Sequence, residues 1–335
     1  MRDTGTDDPR VRVRPGRRGS RPRTKIRPDF EDALTGRVFR VDRGRYHVTL
    51  VEGTPIVAVK ARELGRGSIA VGDLVKVVGD TSGRRDTLAR IVTVLPRTST
   101  LRRTAEEGEA AGTERVIVAN AEKLLIITAL AQPEPRTGMI DRCLVAAYDA
   151  GMEPILVLTK ADLADPAPLL DHYSNLNLTV LSTSIDETTG QTHGVDAVAD
   201  AVSGTISVLV GHSGVGKSTL INALVPEAGR ATGVVNAVTG RGRHTSSSAI
   251  GFTMSGGGII IDTPGVRSFG LAHVAPDMLL EAFPDLLELA ADCPRGCSHA
   301  ATEPECGLDG AADQTAERVE SYRRLLEARH SAEQF

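Results

Sequence analysis

Gly211, Gly216, Lys217 and Ser218 stand at the spacing GxxxxGK[ST], with His212, Ser213, Gly214 and Val215 filling the turn between the outer glycines. Those residue types in that order suit one chemistry, the cradling of a phosphate chain. Glycines let backbone N–H groups approach the phosphates, Lys217 meets the terminal ones, and the Ser218 hydroxyl binds magnesium. Such a loop works between a strand and a helix. Residues 206–210 are a β-branched apolar run, and residues 218–224, which include Thr219, have helical apolar spacing. The helix start adds its positive end to the cradle. The competing reading, a chance match in a glycine-rich turn, does not require that strand and helix.

Two further strand ends carry chemistry. Residues 257–261 run into Asp262-Thr-Pro-Gly265, a DxxG in which Asp262 holds magnesium through water and the Gly265 N–H senses a γ-phosphate. The sequence Asp-x-Pro-Gly is also a common turn, and the phosphate loop upstream favours the functional reading. Residues 154–158 run into Thr159-Lys-Ala-Asp162. An [N/T]KxD there sets the Asp162 carboxylate against the guanine N1–H and exocyclic amine, two charge-assisted bonds that adenine cannot make. Lys160 lies along the base plane, and Thr159 occupies a position where Asn is commoner. Ser182, Thr183 and Ser184 follow an apolar run and suit a loop under the guanine. Open α/β sheets bind ligands at these carboxyl ends of strands.

A different chemistry sits near the carboxyl terminus. Cys293, Cys297, His299 and Cys306 offer three thiolates and an imidazole, a set that suits tetrahedral zinc in a closed structural site. A disulfide pair is the alternative, and the absence of an export signal weighs against it. Cys143 is the one cysteine outside the cluster, in a helical-looking segment. A charged helix over about residues 315–329 follows and packs on this module.

The elements that must position these groups span most of the chain. Its 335 residues allow two or three domains and an ample core. No apolar run approaches the roughly 18 residues of a membrane span, and residues 1–30 lack the apolar centre of a secretory signal. The expectation is a cytoplasmic protein with no membrane partner. Net charge is only -4, but residues 10–27 are strongly basic and too poor in apolar residues to fold alone. Such an arm either solubilises the chain or neutralises nucleic-acid phosphates. Residues 36–41, 46–51, 55–59, 74–78 and 88–94 read as five short strands separated by turn signals, a pattern that suits a small β-barrel. Residues 105–113 read as a linker out of that barrel, after the basic residues Arg97, Arg102 and Arg103.

Along the chain the order is base-reading motif (159–162), guanine loop (182–184), phosphate loop (211–218), first switch (239–248) and second switch (262–265), whereas ordinary GTPases begin with the phosphate loop. That order resembles the circularly permuted GTPases. With the strand-rich segment upstream, Arg241-Gly-Arg-His-Thr-Ser246 and the Cys/His cluster downstream, the chain resembles the RsgA/YjeQ family, the small-ribosomal-subunit-dependent GTPases of bacteria. The resemblance implies an α/β fold, a circularly permuted P-loop GTPase domain between an OB-fold barrel and a zinc-binding helical module. The boundaries expected are a basic arm at 1–34, the barrel at 35–100, the GTPase domain at 104–272 and the zinc module at 273–335. It implies hydrolysis of GTP to GDP and phosphate with magnesium, stimulation by the small ribosomal subunit, a late role in that subunit's maturation, contact with its rRNA, and a monomer. Val266 stands where Ras-like enzymes carry a catalytic Gln, and the resemblance gives that task to His244, with Thr245 or Ser246 on magnesium. Two other classes stay open from the residues alone: a P-loop kinase, and an RNA-binding module with a degenerate nucleotide site.

Overall fold

The structure, a computed structural model, describes residues 30, 32–65, 67–104, 114–174, 176, 178–186, 188–226, 249–263 and 274–333. The basic arm over residues 10–27 and the linker expected over 105–113 lie outside the described residues.

Five strands come first: β1 (Leu34–Asp42), β2 (Arg45–Leu50), β3 (Pro55–Lys60), β4 (Leu74–Gly79) and β5 (Ala89–Val94). Alternation makes them a barrel. Tyr46, Val48 and Leu50 of β2, Ile56 and Ala58 of β3, and Val75 and Val77 of β4 point inward around a shared core with Val38 and Ile91. The strand order β1-β2-β3-β5-β4 closes because β1 also pairs antiparallel with β4, and only β3–β5 is parallel. These are the five strands expected, with ends that move by two residues or fewer.

Next come β6 (Thr100–Thr104) and β7 (Glu114–Ala119), an antiparallel pair that brackets the expected linker. Beside them the junction with the barrel is polar. Asp73, fully buried, takes two bonds of 2.7 Å from the Arg97 guanidinium and a third from the Ala70 N–H. Asn120 donates to the Gly72 carbonyl and accepts from the Thr98 N–H.

Strands interspersed with helices follow: β8 (Lys123–Ala129), α1 (Thr137–Asp149), β9 (Glu153–Thr159), α2 (Ala167–His172), β10 (Thr179–Ser182), the short pair β11 (Ser184–Ile185) and β12 (Thr192–His193), α3 (Val195–Val202), β13 (Ile206–Val210), α4 (Lys217–Leu224), β14 (Ile250–Thr253) and β15 (Ile259–Asp262). Strands β8, β9 and β13 are near-continuous apolar runs, the signature of parallel strands covered on both faces. Their sheet runs β10-β9-β8-β13-β15-β14, parallel except for β14. Helices α3 and α4 bury Val198, Val202, Leu220 and Leu224 against one face; α1 buries Ile140, Cys143 and Leu144 against the other. Strand β14 continues the sheet into the barrel, with Ile250 paired to Arg40 of β1 on one side and to Asp262 on the other.

The carboxyl-terminal part contains α5 (Pro276–Glu281), α6 (Pro284–Ala290), a 3-10 turn (Gly307–Gly310) and α7 (Asp313–Glu333). Both short helices open on proline, whose missing N–H costs nothing there. The expected charged helix is α7, extended at both ends. Val319, Tyr322, Leu325 and Leu326 on it share one core with Phe283, Leu286 and α1, so it packs on the GTPase layer as well as on the module beside it. Arg318, 1% exposed, lies 2.9 Å from Asp285 and over the Phe283 ring. That ion pair has no aligned hydrogen bond, so the contact is charge against charge.

Candidate nucleotide site and metal centre

The parallel sheet brings Thr159, Gly211 and Asp262 to the carboxyl ends of β9, β13 and β15, on the same end of the sheet, with β8 between β9 and β13. The glycine turn between β13 and α4 is dictated locally. A Cβ on Gly211 would sit 2.5 Å from the Ile127 carbonyl oxygen of β8, and Gly216 takes φ +92° as the residue that caps α4. Val215 is buried, His212 half-buried, and Ser213 and Gly214 are exposed at the tip; Ser218 and Thr219 are exposed in the first turn of α4.

Lys217 donates to the Gly211 carbonyl at 2.8 Å. Burial lowers its pKa, with the Asp262 charge opposing; burial raises that of Asp262, with Lys217 and the Thr263 N–H opposing. The two groups thus share a desolvated space in which each partly compensates the other. Thr263 fixes the strand end by donating to the Leu209 carbonyl at 2.7 Å. Oδ1 of Asp262 is buried and has no hydrogen-bond donor. A buried carboxylate oxygen left free beside an ammonium, with the Ser218 hydroxyl one residue on, fits a hydrated magnesium ion.

The loop expected to read the base is held from three sides. Thr159, buried, donates its hydroxyl to the Val215 carbonyl of the phosphate loop at 2.6 Å. Lys160, at φ +55°, donates to the Gln132 carbonyl in the loop after β8. Asp162, exposed, accepts the Ile185 N–H on Oδ1 at 3.4 Å. The turn is locked to the next strand by Thr183, whose N–H bonds the Leu158 carbonyl at 2.7 Å and whose carbonyl takes the Ala161 N–H. Ser182 is exposed just before it. Sequence reasoning did not find Gln132 or Ile185. Both act through backbone atoms, which residue types do not advertise.

The Thr159 hydroxyl makes a testable link. Thr159→Val keeps the shape but strands the Val215 carbonyl, a loss of about 1–3 kcal/mol. Nucleotide affinity should fall roughly tenfold in a fluorescent-nucleotide titration. Wild-type affinity in this variant would mean that the loop holds its own conformation.

The Cys/His cluster is assembled. The ligand atoms of Cys293, Cys297, His299 and Cys306 all lie within 4.8 Å of one another. Nδ1 of His299 is 3.5 Å from the sulfurs of Cys293 and Cys297 and 3.7 Å from that of Cys306, and Cys293 and Cys306 are 3.9 Å apart. Zinc bonds of about 2.3 Å to sulfur and about 2.0 Å to nitrogen require tetrahedral edges of about 3.5 Å for S···N and about 3.8 Å for S···S. The donor set therefore fits zinc in type, and the three S···N contacts and the Cys293–Cys306 contact lie close to those edges. The Gly307 and His299 N–H groups point at the sulfurs of Cys293 and Cys297, which suits thiolates. All four cysteines are free of disulfides, and burial pushes the Cys143 thiol of α1 up and away from reactivity.

Four expected site residues, His244, Thr245, Ser246 and Gly265, lie outside the described residues, as does Val266. Among the described residues no helix is long and apolar enough to cross a membrane.

Comparison with known proteins agrees with this geometry. The RsgA GTPase family matches residues 94–272. The small ribosomal subunit biogenesis GTPase RsgA of Pseudomonas aeruginosa (strain LESB58) is 39% identical over 242 residues, 70% of each chain. Its counterpart in Pseudomonas syringae pv. tomato is 40% identical over 248 residues, 70% of this chain and 69% of that one. Among solved structures, YjeQ from Thermotoga maritima superposes with a TM-score of 0.64 at 26% identity, covering 89% of this chain and 98% of that one. YloQ, a circularly permuted GTPase, gives 0.61 at 22% identity over 89% and 96%, a likeness of fold.

Proposed function

Because this chain belongs to the RsgA GTPase family, we propose that it hydrolyses GTP to GDP and phosphate in the biogenesis of the small ribosomal subunit, and that the subunit raises the rate. The observation that carries this reading is the Thr159–Val215 bond. It ties a base-reading loop to a phosphate loop, so that one ligand spans both. A kinase has no need of a guanine-reading carboxylate at that place.

Lys160, Asp162 and Ser182 take the guanine, Gly211 to Thr219 the phosphates, and Asp262 and Gly265 the γ-phosphate side. Ser218, Asp262 and either Thr245 or Ser246 hold magnesium, which when bound neutralises charge on the β- and γ-oxygens. His244, neutral, accepts a hydrogen bond from the attacking water, the task that Val266 cannot perform. The Cys3His set holds one structural zinc ion. The barrel, near residues 35–100, and the zinc module, near 273–335, flank the GTPase domain at 104–272 and grip rRNA together with the basic arm of residues 1–34. The protein acts as a cytoplasmic monomer, and its two nucleotide states differ in affinity for the subunit.

Phosphate release from GTP, measured with and without small subunits, tests the coupling. We expect slow turnover alone and a large rise with subunits; equal rates would sink it. His244→Ala should lose the stimulated turnover while binding nucleotide normally.

A further inference from the structure

Helix α7 reaches the Cys/His cluster with one side chain that no part of the function above uses. Arg323 donates from Nε to the His299 carbonyl at 3.2 Å and from Nη2 to Asp309 at 2.6 Å. One guanidinium thus spans the loop at a ligand and at the 3-10 turn that directly follows the last ligand, Cys306. That turn begins at Gly307, whose N–H bonds the Cys293 sulfur at 3.1 Å. Gly307 has no room to move away, since even a Cβ there would sit 2.3 Å from the Leu289 carbonyl oxygen. His299 itself takes φ +57°, a left-handed conformation that must be held. Tyr322, fully buried on the same helix, sets its ring edge-on to His299 at 6.3 Å and to Phe283 at 6.1 Å.

We infer that Arg323 is the positioning residue of this metal centre, a strap that keeps His299 and the turn after Cys306 in ligating geometry. The inference rests on reading the cluster as a zinc site. Groups that orient metal ligands from outside the coordination shell are worth about 10–100-fold in metal affinity. Arg323 acts on a ligand's backbone and on the turn at once, and its planar fork has no equivalent in lysine. The same helix carries Val319, Leu325 and Leu326 into the core shared with α1, so loss of the strap frees the zinc loop while α7 stays docked.

The test compares the full-length protein with Arg323→Ala, Arg323→Lys and Asp309→Asn. Zinc content is measured by elemental analysis, and release is timed with a chromogenic chelator in excess. We expect one zinc per chain in each protein, release roughly 10–100-fold faster in Arg323→Ala, and intermediate release in the other two. Asp309 is half exposed, so its variant folds whatever befalls Arg323→Ala. Wild-type protein without zinc would overturn the metal reading itself. One zinc per chain with wild-type release rates in Arg323→Ala and Asp309→Asn would overturn the strap alone.

Discussion

Lys217→Ala should lower affinity for GTP and the rate of its hydrolysis by about two to three orders of magnitude, the size seen when one preorganised donor to developing charge is removed. Lys217 is already desolvated, with its ammonium on the Gly211 carbonyl and the Asp262 charge opposing the effect of burial. That desolvation is a cost met in folding, so the ammonium meets phosphate without first shedding water. Alanine removes the cation and also strands its partner. Asp262, whose pKa burial already raises, loses the neighbour that holds it down. Its carboxyl therefore protonates over a wider acid range, and nucleotide binding that depends on magnesium should fall off at higher pH than in the wild type. Arginine in the same place should not restore function, because its fork cannot sit where a single ammonium meets the loop carbonyl. A fluorescent-nucleotide titration across pH, with thermal melting as the folding check, measures both effects. Affinity within threefold of wild type would remove Lys217 from the phosphate site.

Much of this arrangement was legible in the residues, and the rest was hidden for identifiable reasons. The barrel strands alternate cleanly, so their periodicity marks them; β8, β9 and β13 are apolar throughout, so run length marks them. The Cys/His set announces itself by residue type, and the structure brings its four donor atoms within 4.8 Å of one another. What sequence could not carry is contact between distant backbones. The join of the barrel to the GTPase sheet depends on Arg40 of β1 pairing with Ile250 of β14, 210 positions along the chain, and no residue type encodes it. Residues 105–113 read as a linker because they are polar and small. The flanking strands β6 and β7 pair with each other, and an Asp73–Arg97 ion pair sits at the junction between them and the barrel. In the sequence Arg97 reads only as a basic residue at the exit from the barrel. Its role follows from a fully buried carboxylate that sequence could not know was buried.

Asp162→Asn should turn the site from guanine towards xanthine nucleotides, with GTP weakened on the order of 10³-fold and ATP no better bound than before. Guanine presents two donors to the carboxylate, at N1 and at the 2-amino group. An asparagine amide keeps one acceptor and replaces the other with a donor, which opposes the 2-amino group and matches the 2-oxo group of xanthine. An amide can turn over, and a turned amide would blur the switch. Here the Ile185 N–H at 3.4 Å from Oδ1 decides the orientation, because it needs an acceptor. The amide oxygen must stay on the Ile185 side and the NH2 must take the other, so the swap of preference should be sharp. Lys160 on the Gln132 carbonyl and Thr159 on Val215 are untouched, and the loop keeps its position. Competition binding with GTP, XTP and ATP on wild type and variant reads the outcome directly. If the variant still binds GTP as tightly as wild type, Asp162 does not face the base. If it loses GTP without gaining XTP, the base sits where the carboxylate senses charge alone, and Ile185 has no part in reading it.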